Sequence, residues 1–265
     1  MRKTFEPGTQ DDVAIAADDV VLSGNLSIPQ APRGLVLFAH GSGSSRLSWR
    51  NRWVARELNE AGFATLLFDL LTADEERIDG ETREFRFDIP LLAHRLSRAT
   101  KWVLRQRGIA DLPIGYFGSS TGAAAALAAS VDWPQVEAVV SRGGRPDLAG
   151  PFLDRVRAAT LLVVGGDDYA VIGMNREALA ELRCEAGISI VPGAMHLFEE
   201  PGALEQVATL AAGWFDTHLG RQPAAGRGGQ DEHLADSRAV GGARRKAARP
   251  LRDAARGGPA GSAQV

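Results

Sequence analysis

One serine stands in a glycine-framed pattern typical of a catalytic nucleophile. Within Gly118-Ser119-Ser120-Thr121-Gly122, only Ser120 has a glycine two positions away on both sides. A short apolar run precedes the motif and an Ala-rich helical pattern follows it, so the stretch predicts a strand, a sharp turn and a helix. Side chains at the two glycine positions would collide where the strand and the helix pass closely. Ser120 would therefore stand at the apex of the turn, above a helix N-terminus that favours developing negative charge.

A serine hydroxyl needs a base within hydrogen-bond reach, and that base needs a carboxylate to orient it and stabilise its charged form. His196 follows the last predicted strand and is the candidate base, although it could also be a loop histidine with structural partners. The pair Asp167 and Asp168 follows an earlier predicted strand and supplies the candidate acid. The chain order of nucleophile, acid and histidine is that of the α/β-hydrolases rather than that of the other serine-triad folds.

Backbone N–H groups near Ser120 could stabilise the oxyanion that forms during acyl transfer. We expect one from Thr121 and a second from Ser42 or Gly43, in the Gly/Ser loop after the first buried strand. Losing one such donor typically costs ~3–4 kcal/mol of transition-state stabilisation.

Other residues at the same ends of the strands are expected to contact the substrate. Gly41, Gly43 and Arg142 are the candidates, because ligands bind beyond the carboxyl ends of the strands in an open parallel sheet. Arg142 or Arg145 could hold an anionic group of the substrate, or both could be solvated in their loop. The polar connection Leu71–Phe87 is predicted as a long loop that forms part of the pocket wall.

These residues must be positioned by a chain that alternates strands and helices. An antiparallel hairpin is predicted over Val13–Ala17 and Val20–Ile28. Buried strands are predicted at Gly34–Ala39, Phe63–Asp69, Pro113–Phe117, Val136–Ser141, Thr160–Gly165 and Ile188–Val191. Helical patterns lie between them, among them one from Pro90 through to Gly108 and one over Asn175–Arg183. This alternation predicts an α/β fold with a mostly parallel central sheet and helices on both faces.

The composition divides the chain into residues 1–220 and 221–265. The second part contains nine basic and four acidic residues and no aromatic residue, which leaves the first part with 21 basic and 29 acidic residues. Residues 221–265 have too few large apolar side chains to offset the entropy that the segment would lose on folding. We therefore predict one folded domain followed by a disordered basic tail. An acidic body is unlike a nucleic-acid-binding domain, whereas the tail could contact acidic partners.

Several classes of protein are disfavoured by what the sequence lacks. Cys184 is the single cysteine of 265 residues, which excludes an intramolecular disulfide and fits a reducing cytoplasm. It lies in a helical pattern and is expected to be packed. No apolar run is long enough to span a bilayer, the five histidines lack metal-ligand spacing, and the dinucleotide and phosphate-loop fingerprints are incomplete. We therefore expect no cofactor, metal or membrane partner.

Three segments together resemble the dienelactone hydrolase branch of the α/β-hydrolase superfamily. They are Gly118-Ser119-Ser120-Thr121-Gly122, Gly165-Gly166-Asp167-Asp168-Tyr169-Ala170-Val171 and Gly193-Ala194-Met195-His196-Leu197-Phe198. The resemblance spans about residues 12–219. It implies an α/β-hydrolase fold with His196 as base, Asp168 as acid and Ser42 as the first oxyanion residue. It also implies that His40 supports the loop beneath the site.

The chain departs from this family in its nucleophile, and it lacks an insertion for a cap domain. Dienelactone hydrolase itself uses a cysteine nucleophile, and Ser120 occupies that position here, so the chain looks more like the serine esterases of the branch. No insertion large enough for a cap domain separates Ser141 from Thr160, which predicts an open, shallow site.

The sequence thus predicts a serine hydrolase that cleaves carboxylic esters of small substrates through an acyl-enzyme on Ser120. An acyltransferase or a peptidase would use the same three residues and differ in the nucleophile that resolves the acyl-enzyme. A third hypothesis is a non-catalytic scaffold that keeps the fold and binds partners through its acidic loop or basic tail.

Overall fold

A computed structural model describes residues 3–219 of the chain, and the predicted tail lies outside these residues. The described part contains eight strands and six α-helices. The strands are β1 Gln10–Ala17, β2 Val20–Ser27, β3 Leu35–Ala39, β4 Ala64–Phe68, β5 Ile114–Ser119, β6 Val136–Arg142, β7 Ala159–Gly165 and β8 Ala186–Val191. The helices are α1 Trp49–Glu60, α2 Ala73–Thr82, α3 Ile89–Val103, α4 Thr121–Ser130, α5 Tyr169–Glu181 and α6 Ala203–His218.

All eight strands form one sheet in the order β1-β2-β4-β3-β5-β6-β7-β8. The pairs β1–β2 and β2–β4 are antiparallel, and every other neighbouring pair is parallel. The predicted N-terminal hairpin and the mostly parallel sheet are therefore confirmed. Because β3 and β5 to β8 run in the same direction, their carboxyl ends meet at one edge of the sheet, where the candidate catalytic residues follow them.

Two apolar layers cover the sheet. Helices α3, α4 and α5 contribute to the core on one face, and α1 and α6 pack on the other. Strands β3, β4, β5 and β7 are buried at every position, as expected of strands that are covered on both faces. Helix α4 is also buried at all ten residues, which its small Ala side chains permit at the centre of the fold.

The segment after β4 differs from the prediction. Leu71–Phe87 is not an irregular loop, because it contains helix α2. Thr72 and Glu75 form a capping box, in which the Thr72 hydroxyl accepts from the Glu75 N–H and the Glu75 carboxylate accepts from the Thr72 N–H. Asp79 is fully buried and accepts from the backbone N–H groups of Phe85 and Arg86 and from the Arg86 guanidinium. These polar contacts hold a helix that has almost no apolar stripe to reveal it.

Three smaller differences concern the ends of two helices and the position of Cys184. Helix α3 ends at Val103 rather than continuing to Gly108, and α5 begins at Tyr169 rather than at Asn175. Cys184 lies in the connection between α5 and β8, not on a helix. Its thiol is half-buried and donates to the Thr160 hydroxyl at 3.8 Å, and burial raises its pKa.

The connection between β6 and β7 contains a 3₁₀ segment over Pro146–Arg155 that is kinked at Gly150. It is too short to form a separate domain. Within residues 3–219, no helix has the length and apolar character needed to cross a membrane.

Candidate active site

Ser120 occupies the sharp turn between β5 and α4, in a strained backbone conformation. Its φ is 50° and its ψ is −122°, a region that non-glycine residues rarely adopt. Its N–H donates to the carbonyl of Arg142, and its own carbonyl accepts from the N–H groups of Ala123 and Arg145. Such strain costs of order 1–3 kcal/mol and persists only where the surrounding structure holds it.

The glycines that frame Ser120 permit a close approach that no side chain would allow. A Cβ at Gly122 would lie 2.2 Å from the carbonyl oxygen of Ala39, and a Cβ at Gly118 would lie 2.5 Å from the Cα of Ala123. Helix α4 therefore packs directly against the ends of β3 and β5. The structure thus agrees with the prediction that side chains at these two positions would collide with the neighbouring backbone.

His196 and Asp168 lie on separate loops and meet at the carboxyl edge of the sheet. His196 Nδ1 lies 2.8 Å from Asp168 Oδ2, and the two side chains are 38% and 16% exposed. Because the Nδ1–H donates to the carboxylate, Nε2 is the nitrogen that remains free to accept a proton. This pairing is the geometry required of a base and the acid that orients it.

The contact also bears on the choice between Asp167 and Asp168. Asp168 stands at the N-cap position of α5, but its side chain makes no capping hydrogen bond. Asp167 is exposed, and its backbone N–H donates to the Ala194 carbonyl. The carboxylate that faces the histidine is therefore that of Asp168.

Ser120 and His196 both contact the segment at the end of β6. A Cβ at Gly143 would lie 2.9 Å from the His196 carbonyl oxygen and 3.6 Å from His196 Nδ1. The preceding residue, Arg142, accepts the hydrogen bond from the Ser120 N–H at 3.3 Å. Within residues 3–219, the Ser120 hydroxyl has no hydrogen-bond partner, and catalytic hydrogen bonds often tighten only when substrate binds.

The two candidate oxyanion residues contact each other. Ser42 Oγ and Thr121 Oγ1 are 3.0 Å apart, which brings the loop after β3 against the start of α4. Thr121 is the first residue of α4, so its N–H has no partner within the helix. Gly41 packs closely against the turn, since its Cβ would lie 3.0 Å from the Ser119 carbonyl oxygen and from Ser120 Cβ. Gly43 has a φ of 63° and faces open space.

His40 holds this loop in place. It is buried, its Nε2 accepts from the Leu70 N–H at 2.9 Å, and its Nδ1 lies 3.0 Å from the Gly41 carbonyl oxygen. These contacts require the neutral ring, with the proton on Nδ1. Burial lowers the pKa of His40 below its ordinary value. This position agrees with a supporting role beneath the site.

Arg86, which follows α2, contacts the loop after β3, and sequence reasoning missed this contact. The Ser42 hydroxyl donates to the Arg86 carbonyl at 3.4 Å, and Arg86 is held by buried Asp79. A narrow cleft next to Thr121 is lined by this segment and by α3, with Leu71, Glu76, Arg86 and Leu92 on its wall. The Thr72-x-x-Glu75 spacing was the signal that could have revealed the helix.

Arg142 differs from its predicted position. It is the last residue of β6 rather than a loop residue, and it is only 7% exposed. Arg145, in contrast, is paired with Asp147 through hydrogen bonds of 2.7 and 2.8 Å. Arg142, the predicted substrate contact, and Arg145, its alternative, therefore have different environments.

Comparison with known proteins shows the family of the chain. A solved dienelactone hydrolase from Anabaena variabilis is 55% identical, with a TM-score of 0.78, and the match covers 80% of this chain and 98% of that chain. The chain belongs to the dienelactone hydrolase family. The predicted resemblance and the predicted α/β-hydrolase fold are thereby confirmed.

More distant members of this fold are also similar to the chain. A dienelactone hydrolase-like promiscuous phosphotriesterase from metagenomic libraries is 18% identical with a TM-score of 0.66. The esterase domain of a Rhodothermus marinus protein is 19% identical with a TM-score of 0.63. At these identities the likeness concerns the fold alone.

Curated relatives from two strains of Mycobacterium tuberculosis are 56% identical over 215 residues, and both carry the name "Putative phosphoribosyl transferase". The match covers 80% of this chain and 47% of theirs, so the chain spans about half the length of these relatives. No protein-family model matches the chain.

Proposed function

We propose that this member of the dienelactone hydrolase family is a serine hydrolase that cleaves carboxylic esters of small substrates through an acyl-enzyme on Ser120. The observation that carries the proposal is the strained turn at Ser120, where glycines allow α4 to pack against the sheet. The Asp168–His196 hydrogen bond at the same edge of the sheet supports it. Strained residues cluster at active sites, where the strain is part of the mechanism.

In the first half of the proposed reaction, the Ser120 oxygen attacks the carbonyl carbon of the ester. His196 Nε2 takes the hydroxyl proton as the new C–O bond forms, and Asp168 stabilises the resulting imidazolium. The carbonyl oxygen becomes an oxyanion that accepts hydrogen bonds from the backbone N–H groups of Thr121 and Ser42. The bond to the alcohol oxygen then breaks, and the alcohol leaves with the proton from His196.

Water completes the proposed cycle. His196 Nε2 takes a proton from the water as it attacks the acyl carbon, and the acyl–oxygen bond to Ser120 breaks. The proton returns to the Ser120 oxygen, and the carboxylic acid is released. The side chains of Ser120, His196 and Asp168 and the two backbone N–H groups thus serve both halves, so a change at any one of them is expected to slow turnover.

The curated name concerns phosphoribosyl transfer, and we do not extend it to this chain. That name belongs to proteins about twice as long as the matched part, whereas the Anabaena dienelactone hydrolase is matched over nearly its whole length. The proposal therefore follows the relative that this chain covers.

A fluorophosphonate probe, which forms a covalent adduct with activated serines, tests the proposal. We expect labelling of the wild-type protein and of Ser119→Ala, and no labelling of Ser120→Ala. His196→Ala is expected to lower the turnover of phenyl acetate at least about a thousandfold with an unchanged circular dichroism spectrum. Labelling that persists in Ser120→Ala, or a wild-type protein that is not labelled, would contradict the proposal.

A further inference from the structure

Large apolar side chains are exposed mainly around the candidate active site. Eight of them are exposed within residues 3–219, and six of these lie on the segments that follow β3, β4, β7 and β8 at the carboxyl edge of the sheet. The six are 43% to 78% exposed, and they are Leu47, Trp49, Phe87, Tyr169, Met195 and Leu197. Apolar residues scattered singly over a surface are normal, whereas apolar surface gathered at one place indicates a binding site.

Three of the six are chain neighbours of the proposed base and acid, and they form the base-side group. Tyr169 directly follows Asp168, and Met195 and Leu197 are on either side of His196. Because consecutive Cα atoms are only about 3.8 Å apart, the three side chains begin next to the Asp168–His196 pair. Tyr169 is also the first residue of α5 and is the most exposed of the three, so its ring is accessible to a ligand.

The other three lie near the candidate oxyanion residues and form the oxyanion-side group. Leu47 belongs to the connection from β3 to α1, which also contains Ser42, and Trp49 is the first residue of α1. Phe87 directly follows Arg86, whose carbonyl accepts from the Ser42 hydroxyl at 3.4 Å. This group therefore adjoins the loop that supplies one of the proposed oxyanion donors.

The two groups lie on opposite sides of the nucleophile. The sheet order places β3, β5, β6, β7 and β8 next to one another, and Ser120 follows β5. Neighbouring strands are about 4.8 Å apart, so the ends of β3 and β8 are separated by about 19 Å, with Ser120 between them. One apolar group of a small ester does not span this separation, so the two groups contact different parts of the substrate.

The proposed chemistry decides which part of the ester meets which group. His196 Nε2 gives its proton to the alcohol oxygen, so the alcohol part extends on the side of His196. The carbonyl oxygen accepts from the backbone N–H groups of Thr121 and Ser42, and the acyl chain leaves the carbonyl carbon away from the alcohol oxygen. The acyl chain therefore extends toward the oxyanion-side group.

We propose that the substrate is an ester with an apolar group on each side of the ester bond. The base-side group binds the alcohol part, and the oxyanion-side group binds the acyl chain. The inference rests on the proposed function, because it assigns the two parts of the molecule that Ser120 cleaves. Contact with either group removes apolar surface of the ester and of the protein from water. Lengthening either part of the ester therefore raises kcat/KM.

Two isomeric esters test the preference. Ethyl hexanoate and hexyl acetate have the same composition, but the first has the longer acyl chain and the second has the longer alcohol part. Each adds four methylene groups to ethyl acetate, and we expect kcat/KM to rise at least about tenfold for both. Titration of the released acid in a pH-stat measures the three rates. If ethyl acetate is hydrolysed as well as both longer esters, the proposal is wrong; this result is expected if the apolar side chains bind a partner protein instead.

Single substitutions separate the two groups. Tyr169→Ser should lower kcat/KM for hexyl acetate about three- to tenfold and change that of ethyl hexanoate less than about twofold. Phe87→Ser should have the opposite selectivity. Val21→Ser is the matched control, because Val21 is also exposed but lies on β2, which β4 and β3 separate from β5, and it should leave both values unchanged. An equal or reversed effect of either variant on the two isomers would overturn the assignment.

Binding without turnover separates this inference from the proposed function. Saturation-transfer NMR detects contact of each isomer with Ser120→Ala, which lacks the proposed nucleophile. We expect transfer to the hexyl chain of hexyl acetate, and at least about threefold less transfer when Tyr169→Ser is added. If the chains receive saturation but the wild type cleaves no ester, the proposed function fails and the apolar binding surface stands. If neither isomer receives saturation, the binding surface is wrong, whatever the esterase activity.

Discussion

Replacing Gly122 with alanine tests whether the turn at Ser120 depends on close packing of α4 against β3. The new Cβ would lie 2.2 Å from the Ala39 carbonyl oxygen and 2.4 Å from the His40 carbonyl oxygen. Real Cβ contacts are not shorter than 3.0 Å, so the start of α4 must move away from β3 by most of an ångström. Both opposing atoms are backbone atoms in the centre of the fold and cannot rotate aside.

The expected cost follows from this displacement. Overpacking of a core typically costs about 1–3 kcal/mol, and a contact with two rigid backbone atoms should fall at the upper end, near 3 kcal/mol. A displacement of almost 1 Å at the nucleophile is expected to lower kcat about a hundredfold. Chemical denaturation measures the first quantity, and hydrolysis of phenyl acetate measures the second.

Gly173→Ala provides the matched control. Gly173 lies inside α5, and a Cβ there would meet no atom within 4 Å, so alanine should raise the free energy of unfolding by about 0.5–1 kcal/mol and leave kcat unchanged. If Gly122→Ala is as stable and as active as Gly173→Ala, then the turn does not depend on this close approach and our account of Ser120 is wrong.

Two further predictions concern the charged and ionisable groups of the site. Asp168→Asn should lower kcat at least about a thousandfold, because an amide does not stabilise the His196 imidazolium. Asp167→Asn changes an exposed side chain and should have little effect on kcat. A larger loss in Asp167→Asn would reverse the assignment. The folded pKa of His40 is lowered, so below pH ~6.5 the unfolded chain binds more protons than the folded one, and stability falls as the pH falls. His40→Gln should remove up to about 1.4 kcal/mol per pH unit of that fall in denaturation curves between pH 6.5 and 5.5. An unchanged slope would show that His40 is not the group responsible.

The parts of the site that could be predicted from sequence are those that depend on local backbone geometry. The turn at Ser120 needs glycines at fixed offsets, so Gly118 and Gly122 reveal it without any tertiary information. The alternation of buried strands and helices likewise leads to the sheet. His196 Nδ1 lies 2.8 Å from Asp168 Oδ2, because both residues follow strands whose carboxyl ends share one edge of the sheet.

The features that sequence reasoning missed depend on contacts between distant residues. Helix α2 has one buried residue, Asp79, and its stability comes from a capping box and an ion pair rather than from an apolar stripe. Gly173 lowers the helical signal at the start of α5, where packing overrides propensity. The sequence predicts Arg142 as a loop residue, because charged side chains are rarely buried. Its burial depends on packing against neighbouring strands and α1, which are distant in the sequence.

The most direct test of the account is to trap the acyl-enzyme. Wild-type protein is mixed with phenyl acetate and quenched in acid within milliseconds, and intact-protein mass spectrometry followed by peptide mapping locates any adduct. The account predicts a gain of one acetyl group on Ser120 that disappears as substrate is exhausted, and no gain in Ser120→Ala. Hydrolysis without an adduct, or an acetyl group on Ser119 or Thr121, would contradict it.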